Sequence, residues 1–288
     1  MCCRKLSLIK STMTETPILV TTEELDDHLD SGEVRVVDLS KLEHYVSSHI
    51  PGATHLDYVT LLDGNKPAPG RLPPDKQLEQ LSSVLGLSNG GRIIACDDEG
   101  SGRAARLVWT LHVMGYPSCS VLDGGMTAWR NEQRRLSVEQ PVRENTAPTV
   151  TMDTSVIATR EYILSQLNDD QVILVDARTP EEYIGTKQLS TRSGHIPGAV
   201  NLNWLDTIDA NNHLRLKPRR ILKDMLEARR ILPTREIITY CQTHHRSAHT
   251  WMLLKSLGYP AVRGYPGSWS EWGNHLETPI QTLSEANP

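Results

Sequence analysis

Val34-Arg-Val-Val-Asp38, followed by Glu43-His-Tyr-Val46 and His49-Ile-Pro-Gly-Ala53, decides the architecture, because the same series returns later in the chain. The second copy runs Val172-Ile-Leu-Val-Asp176, Glu181-Glu-Tyr-Ile184 and His195-Ile-Pro-Gly-Ala199. Asp176 follows Asp38 by 138 residues and His195 follows His49 by 146, so the second copy carries eight extra residues between Tyr183 and His195. Met114-Gly-Tyr-Pro117 returns as Leu257-Gly-Tyr-Pro260, and Trp129 as Trp272, both at an offset of 143. Self-similarity over this span marks a duplicated domain.

Within each copy, strand-like and helix-like segments alternate. Val34 to Val37 and Val172 to Val175 are short β-branched runs of the kind that fill buried parallel strands. Leu78, Leu81 and Leu85 share one helical face after Pro74, and Pro218 opens a matching helix carrying Leu222, Met225 and Leu226. Arg92 to Cys96 and Glu236 to Tyr240 are expected as strands, each leading through a tight loop into a helix, Ala104 to Met114 and Ser247 to Leu257. The alternation predicts an α/β fold of two tandem domains, each a parallel sheet flanked by helices on both faces. Ligands gather at the carboxyl ends of such strands, which directs attention to the loop after Tyr240.

The 288 residues divide into a flexible tail (1–15), a first domain (16–137), a proline-containing linker (138–148) and a second domain (149–288). A net charge of −5 gives no general attraction to nucleic acid or anionic lipid, so an anionic substrate needs a local positive site. No stretch is long and apolar enough for a spanning helix, and residues 1–13 make a poor secretory signal. A frayed tail, or Met13 as the natural start, is expected, with acylation of Cys2 and Cys3 the weaker reading of the tail. Five cysteines without paired spacing argue against a disulfide framework and for a reducing compartment, the cytoplasm, with the chain acting as a monomer.

Ile237-Ile-Thr-Tyr-Cys-Gln-Thr-His-His-Arg-Ser247 carries the chemistry. Cys241 ends a strand, four residues turn, and Arg246 starts a helix, so backbone N–H groups and the helix N-terminus favour an anion. That field keeps Cys241 as the nucleophilic thiolate, at the open mouth of the second domain. Arg246 adds a permanent charge and a fork suited to an oxyanion; His244 and His245 add partial charge or hydrogen bonds. A metal site from Cys241, His244, His245 and His249 is set aside, since one tight turn cannot converge four ligands tetrahedrally. In the first copy the 143 offset sets Asp98 opposite Cys241 and Arg103 opposite Arg246, so that domain is expected to be inactive and to close one side of the second domain's site. Cys96, within a strand, is expected to pack.

These residues resemble the tandem-domain rhodaneses, thiosulfate:cyanide sulfurtransferases. The likeness runs from about Thr16 past Trp272 and includes Gly267-Ser-Trp-Ser-Glu-Trp-Gly273. The loop Cys241-Gln-Thr-His-His-Arg246 is similar to that of a bacterial subgroup. The resemblance implies two rhodanese-like domains, the first without its nucleophile. It also implies a persulfide on Cys241 formed from thiosulfate and passed to cyanide or a thiol, with no cofactor and no metal. Gln242, Thr243, His244, His245 and Arg246 would then bind substrate, their amides holding the persulfide. His49 and His195, expected as exposed turn residues, are structural in this reading; Trp251, Trp269 and Trp272 are core, and Trp204 packs although it follows the site-facing segment. Two alternatives stay open: a 3-mercaptopyruvate sulfurtransferase, weakened by the Gln-Thr-His-His loop and by Glu182, and a persulfide carrier serving an acceptor protein. A phosphatase of the Cys-x5-Arg type is disfavoured because only four residues separate Cys241 from Arg246.

Overall fold

A computed structural model describes residues 16–142 and 145–282. The expected tail (1–15), with Cys2, Cys3 and Met13, lies outside the described residues.

The first domain contains strands β1 (Leu19–Val20), β2 (Val34–Asp38), β3 (Thr54–His55), β4 (Arg92–Cys96) and β5 (Cys119–Leu122). They pair in parallel in the order β1-β5-β4-β2-β3. Its helices are α1 (Thr22–His28), α2 (Leu42–Ser47), α3 (Asp75–Val84), α4 (Gly102–Val113) and α5 (Gly125–Asn131). The second domain repeats the plan with helices α6 (Arg160–Gln166) and α7 (Pro180–Ile184) around strands β6 (Val172–Asp176) and β7 (Val200–Asn201). A hairpin, β8 (Ile208–Asp209) and β9 (Arg215–Leu216), precedes α8 (Arg219–Ala228), β10 (Glu236–Tyr240), α9 (Arg246–Ser256), β11 (Val262–Gly264) and α10 (Ser268–Trp272). Its parallel sheet runs β11-β10-β6-β7, and the partner of β1 is reduced to a bridge between Ile157 and Gly264.

Successive side chains of a strand point to opposite faces. Ile93 and Ala95 enter one core while Ile94 and Cys96 enter another, with Leu25, Tyr45 and Trp129 of α1, α2 and α5. In the second domain Ile173 and Val175 face one core, and Leu174 joins Ile163, Trp269 and Trp272 in another. The inner cores of the two domains are one. Leu107 and Leu111 of α4 pack with Trp251 and Met252 of α9 in a single apolar cluster across the domain boundary. The two helices that follow the two loops therefore lie against each other. Cys96 is fully buried in the second-face core of the first domain, packing as its position in the strand implies.

The repeated His-Ile-Pro-Gly-Ala segments do the same work twice. His49 stacks on Tyr45 with ring centroids 4.0 Å apart, and His195 on Tyr183 at 3.8 Å. Each imidazole Nδ1 lies 2.8 Å from the tyrosine carbonyl, and each tyrosine hydroxyl donates to the carbonyl of the motif's alanine. The expectation that these histidines are exposed is corrected: both are buried, because the stacked ring and the antiparallel bridges to Ser137 and Gln281 enclose them.

Strand pairing corrects a second expectation. Asp38 pairs with Cys96 and Asp176 with Tyr240, which sets Asp97, not Asp98, opposite Cys241. The backbone agrees: Met126 N–H donates to Asp97 O as Trp269 N–H donates to Cys241 O. β10 follows β4 at an offset of 144 and the helices after them at 143, so the first domain's loop is one residue longer, with Arg103 still opposite Arg246. The Asp97 carboxylate fills its own cradle, accepting N–H bonds from Glu99 (3.0 Å), Ser101 (2.9 Å) and Ala104 (2.9 Å). Asp98 instead faces His44 and Arg103.

Candidate active site

Cys241 directly follows β10, an inner strand of its sheet. Its N–H donates to the Ser268 hydroxyl (3.3 Å) and its carbonyl accepts from Trp269 N–H (2.9 Å), so α10 fixes the base of the loop. His244 adopts φ +56°, a left-handed turn that folds the loop amides inward. Burial alone would push the Cys241 thiol up. The charge of Arg246, the Ser247 hydroxyl and the N–H groups of Ser247 and Thr243 outweigh it, and the thiol lies below its ordinary value. Two of these donations come from Ser247, one residue past the loop as read from sequence.

Arg246 does not offer a free fork. Its Nη1 lies 2.6 Å from Glu182 Oε2 and its Nη2 2.8 Å from Glu182 Oε1, a bidentate pair. Glu182 also accepts the Thr179 N–H in the capping box that starts α7. Burial would raise its carboxyl, but Arg246 holds it down at about 2.

His244 contributes no charge. It is fully buried, its Nδ1 pairs with the Ser247 hydroxyl at 2.8 Å, and its ring lies edge-on to Trp109 of the first domain. Burial, with Arg106 nearby, holds its imidazole far below the usual range, which corrects the expectation of partial charge there. His245 turns the other way, bonding Glu99 of the first domain through Nε2. Its ring lies edge-on to Tyr58 (5.5 Å) and Trp204 (5.7 Å). His249 faces the Thr207 hydroxyl at 2.9 Å, and burial lowers it to about 4. Gln242 donates to the Ser190 hydroxyl (3.1 Å), within the eight-residue insertion of the second copy. Thr243 presses its carbonyl against Gly70 of the first domain, where no side chain would fit.

The sulfur is not open. Cys241 is 0% exposed and shares an apolar cluster with Ala177, Trp204 and Ile208, which Leu214 also packs against. The expectation of an open mouth is corrected: the Trp204–Thr207 turn and the β8–β9 hairpin cover the residue, while Gln242, Thr243, His245 and Arg246 remain partly exposed. Trp204 therefore packs, and does so at the site. The hairpin also grips the first domain, Arg215 bonding Thr22 at 3.0 Å and Leu216 N–H bonding Asp123 at 2.9 Å. A cleft of about 1250 Å³ opens elsewhere between the domains, beside Pro17, His112, Lys217 and Lys255.

A parallel α/β domain that ends a strand on a cysteine whose thiol is lowered by an arginine and by the donors of the following loop fits a class of thiol-based group-transfer proteins. The Rhodanese-like domain matches residues 21–132 and again 159–275, and the chain belongs to that family. The thiosulfate sulfurtransferase of Azotobacter vinelandii is 42% identical over 265 residues, covering 92% of this chain and 97% of that protein. The sulfur carrier protein TtuD of Thermus thermophilus is 31% identical, covering 91% of this chain and 96% of that one. Among solved structures, the 3-mercaptopyruvate sulfurtransferase SseA of Escherichia coli superposes with a TM-score of 0.78 at 24% identity, over 88% of this chain and 99% of that chain. That likeness concerns the fold.

Proposed function

We propose that the chain is a thiosulfate sulfurtransferase of the bacterial subgroup marked by the Cys-Gln-Thr-His-His-Arg loop. The Cys241 thiolate attacks the outer sulfur of thiosulfate. The sulfur–sulfur bond breaks, its electron pair leaves with sulfite, and a persulfide remains on Cys241. Cyanide or a thiolate then takes that outer sulfur and the pair returns to Cys241. The convergence of Thr243 N–H, Ser247 N–H and the Ser247 hydroxyl on one thiolate carries this reading, because the same donors suit a persulfide anion. Gln242, Thr243, His245 and Arg246 frame the substrate, and His244 supports the turn from behind. Neither cofactor nor metal takes part. Because Cys241 is covered, a donor needs an opening, and the partly exposed loop rim is the side from which it would come.

The division into domains 16–137 and 149–288 joined by 138–148, the first inactive in sulfur transfer because Asp97 fills its cradle, belongs to the same proposal. So do monomeric action and a reducing, cytoplasmic setting. Glu182 favours thiosulfate over 3-mercaptopyruvate: it stands where the resemblance implies an arginine for that substrate, and its carboxylate is committed to Arg246. The relationship to a sulfur carrier favours a second reading, delivery of the persulfide sulfur to an acceptor protein. Intact mass after thiosulfate treatment tests the proposal. A gain of one sulfur atom that cyanide removes is expected, and no gain overturns it. Faster unloading by a protein thiol than by cyanide would favour the carrier.

A further inference from the structure

Three negative charges meet when a thiolate attacks the thiosulfate dianion, and the loop's own arginine, whose charge lowers the Cys241 thiol, is shared with the Glu182 carboxylate. Among the described residues, the first domain holds a cation that no carboxylate pairs with. Arg106, on α4, is 0% exposed. Its hydrogen bonds go to the carbonyls of Leu61 (3.0 Å), Arg71 (3.4 Å) and His244 (3.4 Å), the last within the Cys241 loop. Its Nε has no partner among the described residues, and its guanidinium sits 5.0 Å from the Trp109 ring centroid. A buried charge without a counter-ion costs several kcal/mol. Beside it the buried Tyr58 hydroxyl also lacks a partner among the described residues. Tyr58 interacts electrostatically with Arg106, Cys241 and Glu99, and Arg106 with Tyr58 and Cys241. Burial lowers Arg106 to about 10, which leaves it charged at neutral pH.

We propose that the first domain, although it lacks a nucleophile, completes the sulfur site: Arg106 is the uncompensated cation that favours the anionic forms of Cys241, and the Tyr58 hydroxyl donates to the outer sulfur of the bound donor. Arg106 is a positioning residue, acting through the His244 carbonyl and its field; Tyr58 touches substrate and is catalytic. Charged and titratable groups around the sulfur are then Arg246 with Glu182, Asp176 with Arg178, neutral His244, and Arg106, Tyr58, Glu99, Arg103 and His245. This inference rests on the sulfur-transfer reading above.

The full chain carrying Arg106→Met, Arg106→Lys or Tyr58→Phe tests it. Loading of the unaltered protein by thiosulfate is measured first; its failure would remove the sulfur-transfer reading itself. The Cys241 titration is then followed by ultraviolet thiolate absorbance, corrected with Cys241→Ser. Arg106→Met should raise the midpoint by about one pH unit, and Arg106→Lys should restore most of it. Tyr58→Phe keeps the ring against His245 and should slow persulfide formation about tenfold. A merely structural role would lower thermal stability without moving the midpoint. An unmoved midpoint in folded Arg106→Met overturns the role of Arg106. If that variant does not fold, Tyr58→Phe decides, and a rate within about twofold of the unaltered protein overturns the proposal.

Discussion

Arg246 meets Glu182 through two parallel hydrogen bonds, and the carboxylate end of the pair is almost wholly buried. The arginine that the loop pattern offers to substrate is thus an anchor between α9 and α7, and its effect on Cys241 comes through its charge rather than through a free fork. Arg246→Ala would leave Glu182 buried and unpaired. A loss of about 3 kcal/mol in unfolding free energy is expected, with a raised Cys241 midpoint. Chemical denaturation and thiolate titration check both; equal stability would show that the pair is dispensable.

Glu182→Gln acts in the opposite sense on the sulfur. With its partner neutral, Arg246 presents its whole charge, and the Cys241 titration should move to lower pH. A midpoint that rises would show that Glu182 matters mainly by holding the arginine in place.

Acid should uncover the same pair. The folded value of Glu182, about 2, lies below its ordinary 4.5, so the pair's stabilisation is complete above pH 4.5 and is lost as pH falls from there toward 2. Urea midpoints measured across that window should fall more steeply in the unaltered protein than in Glu182→Gln. Parallel curves would count against the linkage.

Cys241→Ser should abolish the thiosulfate-dependent mass gain and leave the circular dichroism spectrum unchanged. Cys96→Ala should load sulfur at the unaltered rate, because burial and the carboxylates of Asp38 and Asp97 raise the Cys96 thiol far from the reactive range. Loading that survives in the first variant or fails in the second would reassign the nucleophile.

Asp97→Ala tests the filled cradle of the first domain. Two buried N–H groups and one half-buried one would lose their acceptor, and roughly 3 kcal/mol of stability should go with it. Stability within about 0.5 kcal/mol of the unaltered protein would mean that water replaces the carboxylate.

Much of this was legible in the linear pattern. The β-branched runs at Val34 and Val172 gave the central strands, and the leucine spacing after Pro74 gave α3, because neighbours three or four apart share a helical face. The two-residue strands Thr54–His55 and Val200–Asn201 were not legible, since a dipeptide carries no periodicity and its pairing comes from the sheet beside it. The Asp98 assignment failed for a related reason. A single offset taken from helix landmarks was carried through a loop where the copies differ by one residue, and only strand register locates that residue.

From the chain alone followed the duplication, the α/β plan and the place of Cys241 at a strand end, all properties of residues close together in sequence. Tertiary contacts decided the rest: α7 sets Glu182 on Arg246, the Trp204 turn and the β8–β9 hairpin cover the sulfur, and packing α4 against α9 brings Glu99, Tyr58 and Arg106 to the second domain's loop. Those partners stand dozens of residues away or more, and hydrogen bonds and charge act only over a few ångströms, so their effects exist only once the tertiary contacts have formed.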